Sequence, residues 1–74
     1  MTLADLSKGD SVRIEAVDCA GASVQRLMTL GLVEGAELTY VGASLGGDPL
    51  EFLLYGSAVS LRRDDARHFS VEES

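Results

Sequence analysis

Seventy-four residues, 46% of them apolar, suffice for one small domain, and twelve acidic against six basic residues give a formal charge of −6. The apolar share argues against disorder, and the negative charge opposes non-specific attraction to nucleic acid. A single cysteine excludes an intrachain disulfide, and no basic start leads into a long apolar run, so neither a secretory signal nor a membrane insertion is expected and the compartment expected is the cytoplasm. A chain this short buries a modest share of its surface, so closing a sheet or covering its edges with a partner would add stability.

The elements follow in chain order. Thr2 is placed to cap a short turn, with Asp5 completing a reciprocal pair three residues on and Leu3 and Leu6 facing inward. Ser7 to Asp10 reads as a turn. Ser11 to Val17 alternates Val12, Ile14 and Ala16 with Arg13 and Glu15, the pattern of a half-buried strand. A helix follows within Ser23 to Gly35, capped by Asp18 or Ser23, with Val24, Leu27 and Met28 as its apolar stripe. Gly31 stands where a left-handed residue would end that helix, and Leu32 would then touch Leu27 in a Schellman motif. Gly35 closes a second turn.

The rest of the chain reads as strands. Ala36 to Ala43 forms one, Ser44 to Pro49 a long turn, and Leu50 to Tyr55 another strand with Leu50, Phe52 and Leu54 on one face. Gly56 and Ser57 turn into Ala58 to Arg62, with Val59 and Leu61 inward. Arg63 to Ala66 suits one helical turn, and Phe69 with Val71 a last strand before an acidic tail, residues 72–74, expected to fray. The sum is an all-β fold with one inserted short helix: a small β-barrel of about five strands, one domain over residues 1–74 with its core within 3–71.

Chemistry-bearing residues are sparse. Cys19, His68, Asp64 and Asp65 are the ligand types available, too few in one protomer for a structural zinc or a non-haem iron triad, so they stand only as candidates for weak metal contact. The serines have no nucleophile-elbow context, and Gly46-Gly47-Asp48 is not followed by the Lys-Ser or Lys-Thr of a phosphate loop. Neither catalytic residues nor a cofactor are expected. Arg62, Arg63 and Arg67 form the one basic cluster, without interleaved aromatics. This gives a local salt-bridge patch with Asp64 and Asp65, or a docking site for an acidic partner surface, rather than a nucleic-acid platform.

Three ordered stretches carry a resemblance: Gln25 to Gly35, Gly46 to Leu50, and Val59 to Ala66. Together they resemble the FeoA family, small cytoplasmic proteins of bacterial ferrous iron uptake. The resemblance implies an SH3-like barrel acting as accessory partner to the cytoplasmic, GTPase-containing part of the transporter FeoB. By motif, Leu27, Leu30, Gly31, Leu32 and Gly35 match the family's helix and cap, Asp48 and Pro49 its turn, and Leu61, Arg62 and Ala66 its closing strand and turn. Arg26, Leu30 and Leu32, with Arg62 and Arg63, are the candidates to reach a partner. Many relatives carry two basic residues before the helix leucine, whereas Gln25 precedes Arg26 here. The domain also resembles the C-terminal module of iron- and manganese-dependent repressors, but a freestanding protein is expected because Met1 begins just before the barrel. A metal-carrying chaperone is the third class. An exposed sheet edge would also give a homodimer a physical basis.

Overall fold

In a computed structural model that describes residues 1–18 and 21–74, the alternating run Ser11–Val17 is β1, with Val12 and Ile14 buried. It pairs antiparallel with β2, Glu37–Ala43, on one side and with β5, Phe69–Glu73, on the other. β3, Leu50–Leu54, and β4, Ser57–Leu61, continue the sheet in the order β4-β3-β2-β1-β5. The inward residues of all five strands meet in one core centred on Phe52 and Phe69.

Two irregularities bend this sheet. The β1–β5 register shifts between Ile14 and Ala16, so Ala16, expected inward, is exposed and Val17 is the partly buried residue. A bulge of this kind adds a residue to one strand and reverses which face the following side chains occupy. A second shift lies in β2 between Tyr40 and Gly42, where Gly42 has φ 137°.

Helix α1, Ala22–Thr29, buries Val24 and Leu27. Its N-cap is Gly21, neither Asp18 nor Ser23; φ 139° at Gly21 is a conformation that side-chain-bearing residues avoid. The C-terminus is the expected Schellman motif: the Leu32 amide donates to Leu27 O at 3.2 Å and the Gly31 amide to Met28 O at 3.0 Å, with Gly31 at φ 112°. The following turn is fastened to β1, since Gly35 donates to Ile14 O and Ile14 to Ala36 O.

The N-terminal turn forms as expected. Thr2 N donates to Asp5 Oδ2 at 2.8 Å while Ala4 N donates to Thr2 Oγ1, and Leu3 is buried. Tyr55 at φ 50° and Gly56 at φ 85° form the two-residue loop between β3 and β4, so the turn comes one residue earlier than the sequence indicates. The four-residue helix α2, Arg63–Ala66, places Ala66 in the core. Through the tail, β5 continues to Glu73, Arg13 pairs with Glu72 at 3.0 Å, and Ser74 N donates to Ser11 O.

Candidate partner-docking surface

The apolar face of α1 must lie on the sheet, which leaves its other side beside the edge strand β4. The result is a groove of about 340 Å³ lined by Ser23, Arg26, Leu27 and Leu30 on one wall and by Ser60, Leu61, Arg62 and Asp65 on the other. A shallower hollow of about 500 Å³ continues from it along β4, bordered by Leu30, Leu54, Tyr55 and residues 57–60. Leu30 and Ser60 belong to both.

The candidates drawn from the sequence separate here. Leu30 is 60% exposed and stands between the two hollows. Arg26 and Arg62 are exposed on opposite walls of the groove. Leu32, two residues beyond Leu30, has no accessible surface and belongs to the core, because the Schellman turn folds it back beneath the helix. It does not reach the surface in this fold.

Arg63 is half-buried and held by the fold. Its guanidinium donates to Gly47 O at 2.9 Å and Ala4 O at 3.3 Å, and its amide donates to Asp48 Oδ1 at 2.9 Å. The salt-bridge patch expected around it contains one pair, Arg67 with Asp64 at 2.6 Å. Asp48 and Pro49 join through a cis peptide bond and border a small hollow with Arg62. Leu27, Leu61 and Ala66 are buried, whereas Gly31 and Gly35 take positive φ at the two turns after α1.

The described metal-ligand candidates do not converge. His68 Nδ1 lies 3.4 Å from Asp18 Oδ2, Asp64 is paired with Arg67, and Asp65 lies on the groove wall. Among the described residues no group of three or more His, Cys, Asp or Glu is placed to hold a metal ion, and Cys19 lies outside them. Among the described residues two ionisations are displaced by local structure. The Asp5 carboxyl is lowered by the Thr2 backbone amide and hydroxyl, and the Arg13 guanidinium is raised by Glu72. Neither residue lines the groove.

The sequence reading does not assign Ser23, Asp65, Tyr55 or the run Ser57–Ser60 to a partner surface, though Tyr55 is 77% exposed. The available signal was that Ser57-Ala58-Val59-Ser60 contains neither the lysine nor the proline that often guards a sheet edge.

The curled antiparallel sheet with its inserted helix is an SH3-like domain. The chain overlays on the zinc-complexed FeoA of Stenotrophomonas maltophilia, described as a prokaryotic SH3 domain protein, with a TM-score of 0.84 and 32% identity over 97% of this chain and 89% of that one. The FeoA of Chlorobium tepidum superposes with a TM-score of 0.89 at 36% identity, covering 99% of this chain and 70% of that structure. The manganese regulator SloR shares the fold at 14% identity, with a TM-score of 0.83 over all of this chain and 34% of SloR.

The FeoA domain model matches residues 1–73, and the chain belongs to the FeoA family. It is also 35% identical over 72 residues to the Fe(2+) transport protein A/Fe(2+) transporter FeoB fusion protein of Porphyromonas gingivalis. That match covers 97% of this chain and spans 8% of the fusion protein's length. No helix among the described residues is long and apolar enough to cross a membrane.

Proposed function

We propose that this protein is a non-enzymatic accessory component of bacterial ferrous iron uptake. It binds the cytoplasmic, GTPase-containing part of the FeoB transporter and modulates transport or assembly of the complex. The carrying observation is the Porphyromonas gingivalis relative, in which a homologous segment and a protein named as FeoB form one chain. Fusion holds two domains at high effective concentration, which benefits domains that work in contact. The protein then acts in the cytoplasm and is recruited to the inner face of the membrane through the transporter.

The contact surface in this reading is the groove between α1 and β4, with Leu30 as apolar anchor and Arg26 and Arg62 as flanking charges. Exposed apolar residues rimmed by charge are the usual makings of a docking site. Titration with the purified cytoplasmic fragment of the transporter tests the proposal. Leu30→Glu is expected to weaken association by about tenfold or more, the scale of an anchor residue. Leu45→Glu, an exposed position outside the groove, is the control. Absence of association by the wild-type protein would remove the proposal. Tight stoichiometric binding of ferrous iron by the isolated protein would favour a metal-carrying role instead.

A further inference from the structure

The two outer strands of the sheet are finished differently. The free side of β5 is covered by the chain's own start, through a bridge between Thr2 and Ser70 and a bond from Val71 N to Met1 O at 2.9 Å. Nothing equivalent reaches β4 among the described residues. The loop at Tyr55 and Gly56 has two residues, so the flanking pair Leu54 and Ser57 exchanges both ladder bonds. The same is then true at Val59 and Leu61, and the amides and carbonyls of Ala58 and Ser60 point out of the sheet. β4 pairs with β3 without a register shift and carries neither proline nor lysine. Natural sheets ordinarily guard such an edge with one of those devices.

Two guanidinium groups without an ion-pair partner among the described residues stand beside this edge. Of the six basic side chains, Arg13 and Arg67 are in ion pairs and Arg63 is bonded to backbone carbonyls. Arg26 and Arg62 form no ion pair among the described residues, and both line the groove beside β4, where the opposing charges are Asp65 on the groove wall and Glu51, which accepts from the Ser60 hydroxyl at 3.1 Å. A protein of formal charge −6 therefore presents two unpaired guanidinium groups next to an open strand edge.

We propose that β4 is a strand-addition site: an extended, acidic polypeptide segment pairs with the outward groups of Ala58 and Ser60, sets carboxylates beside Arg26 and Arg62, and lays an apolar side chain against Leu30. Main-chain bonds hold such a segment and the flanking charges select it. This deepens the functional reading above, on which it rests for the identity of the segment's owner. The chemistry of the segment follows from the edge and the two arginines alone.

The test uses the whole chain, isotope-labelled for amide NMR, and two synthetic capped peptides of about eight residues, alternating Glu with Val or Lys with Val. Their length covers one strand of ordinary size. The Glu peptide is expected to shift the amides of Ala58, Ser60 and Arg62 and those of Arg26 and Leu30, with affinity falling as salt is raised. Ala58→Pro removes one outward donor while leaving the β3 ladder whole, and should weaken the Glu peptide by about tenfold. The pair Arg26→Glu and Arg62→Glu, on the surface and independent of the strand, should reverse the preference toward the Lys peptide. Equal affinity for the two peptides, shifts centred elsewhere, or no binding of the Glu peptide overturns the inference. So does a peptide-free dimer abolished by Ala58→Pro, which would give the edge to a second copy of the chain. Titrating the transporter fragment with the same variants separates the two proposals. Association unaffected by any of them discards the edge and keeps the partner, whereas peptide binding without fragment association does the reverse.

Discussion

The backbone amide of Arg63 donates to Oδ1 of Asp48 at 2.9 Å, across fifteen residues of chain. Arg62, the N-cap of α2, makes no side-chain cap bond, so Asp48 supplies from a distant turn the acceptor that a helix N-terminus requires. Arg63 returns the connection by donating to Gly47 O and Ala4 O. The turn at residues 45–48, the start of α2 and the N-terminal turn are thereby joined through one side chain.

Asp48→Ala is expected to lower unfolding stability by about 1 kcal/mol, the common cost of losing a helix cap. Arg63→Lys should be destabilising as well, because an ammonium cannot match the two-branched reach of the guanidinium. Urea denaturation checks both. If Asp48→Ala leaves the midpoint unchanged, the acceptor is not supporting α2.

Gly31 and Gly35 separate two costs that glycine positions usually combine. Both have positive φ, at 112° and 90°. A Cβ at Gly31 would stand 3.3 Å from Leu54 Cδ2, whereas at Gly35 it meets nothing within 4 Å. Gly35→Ala is expected to cost about 1 kcal/mol from backbone strain alone. Gly31→Ala should cost more, because Leu54 is a core residue and has to shift. Thermal melts of the two variants give the ordering.

What could be read in the sequence was whatever short-range chemistry announces. The alternation in Ser11–Val17 and Leu50–Leu54, the reciprocal pair Thr2 and Asp5, and Gly31 after a helical stripe each express a local rule, and each forms. The departures arise where distant backbone decides. Gly21 caps α1 without a side chain to signal it, and the bulge near Ala16 is set by pairing with β5, more than fifty residues away. Tyr55 accepts a positive φ that its residue type disfavours. Leu30 and Leu32 looked equivalent as candidates, and only the geometry of the cap sends one to solvent and the other inward. The second wall of the groove comes from residues thirty or more positions beyond α1, which no window along the chain unites.

The N-terminal turn gives stability an acid limb. The Thr2 backbone amide and then its hydroxyl hold the Asp5 carboxyl below its ordinary range, so the folded state binds that proton less readily than the unfolded chain. A depressed folded pKa contributes stability that is fully present above the unfolded value, near about pH 4, and is lost as pH falls through the folded value. Asp5→Asn should therefore be less stable than wild type at neutral pH, and the difference should shrink below about pH 4. Denaturation midpoints across that range test the sign. A gap that widens on acidification would contradict it.

Leu30 and Leu32 allow stability and partner binding to be separated on one turn of chain. Leu32 is fully buried in the core, so Leu32→Ala leaves a cavity and is expected to cost about 2–5 kcal/mol. Leu30 is 60% exposed, and Leu30→Ala should change stability by no more than about 0.5 kcal/mol, as exposed positions usually do. Binding is expected to follow the opposite order once folding is accounted for. Leu30→Ala removes the apolar residue shared by both hollows, whereas Leu32→Ala, measured at a temperature where it remains folded, leaves that surface in place. Calorimetric titration of the transporter fragment alongside thermal melts measures the two effects independently. A Leu32→Ala variant that is fully folded yet loses affinity as severely as Leu30→Ala would show that the partner reads the shape of the cap itself, and would move the contact from the groove to the end of α1.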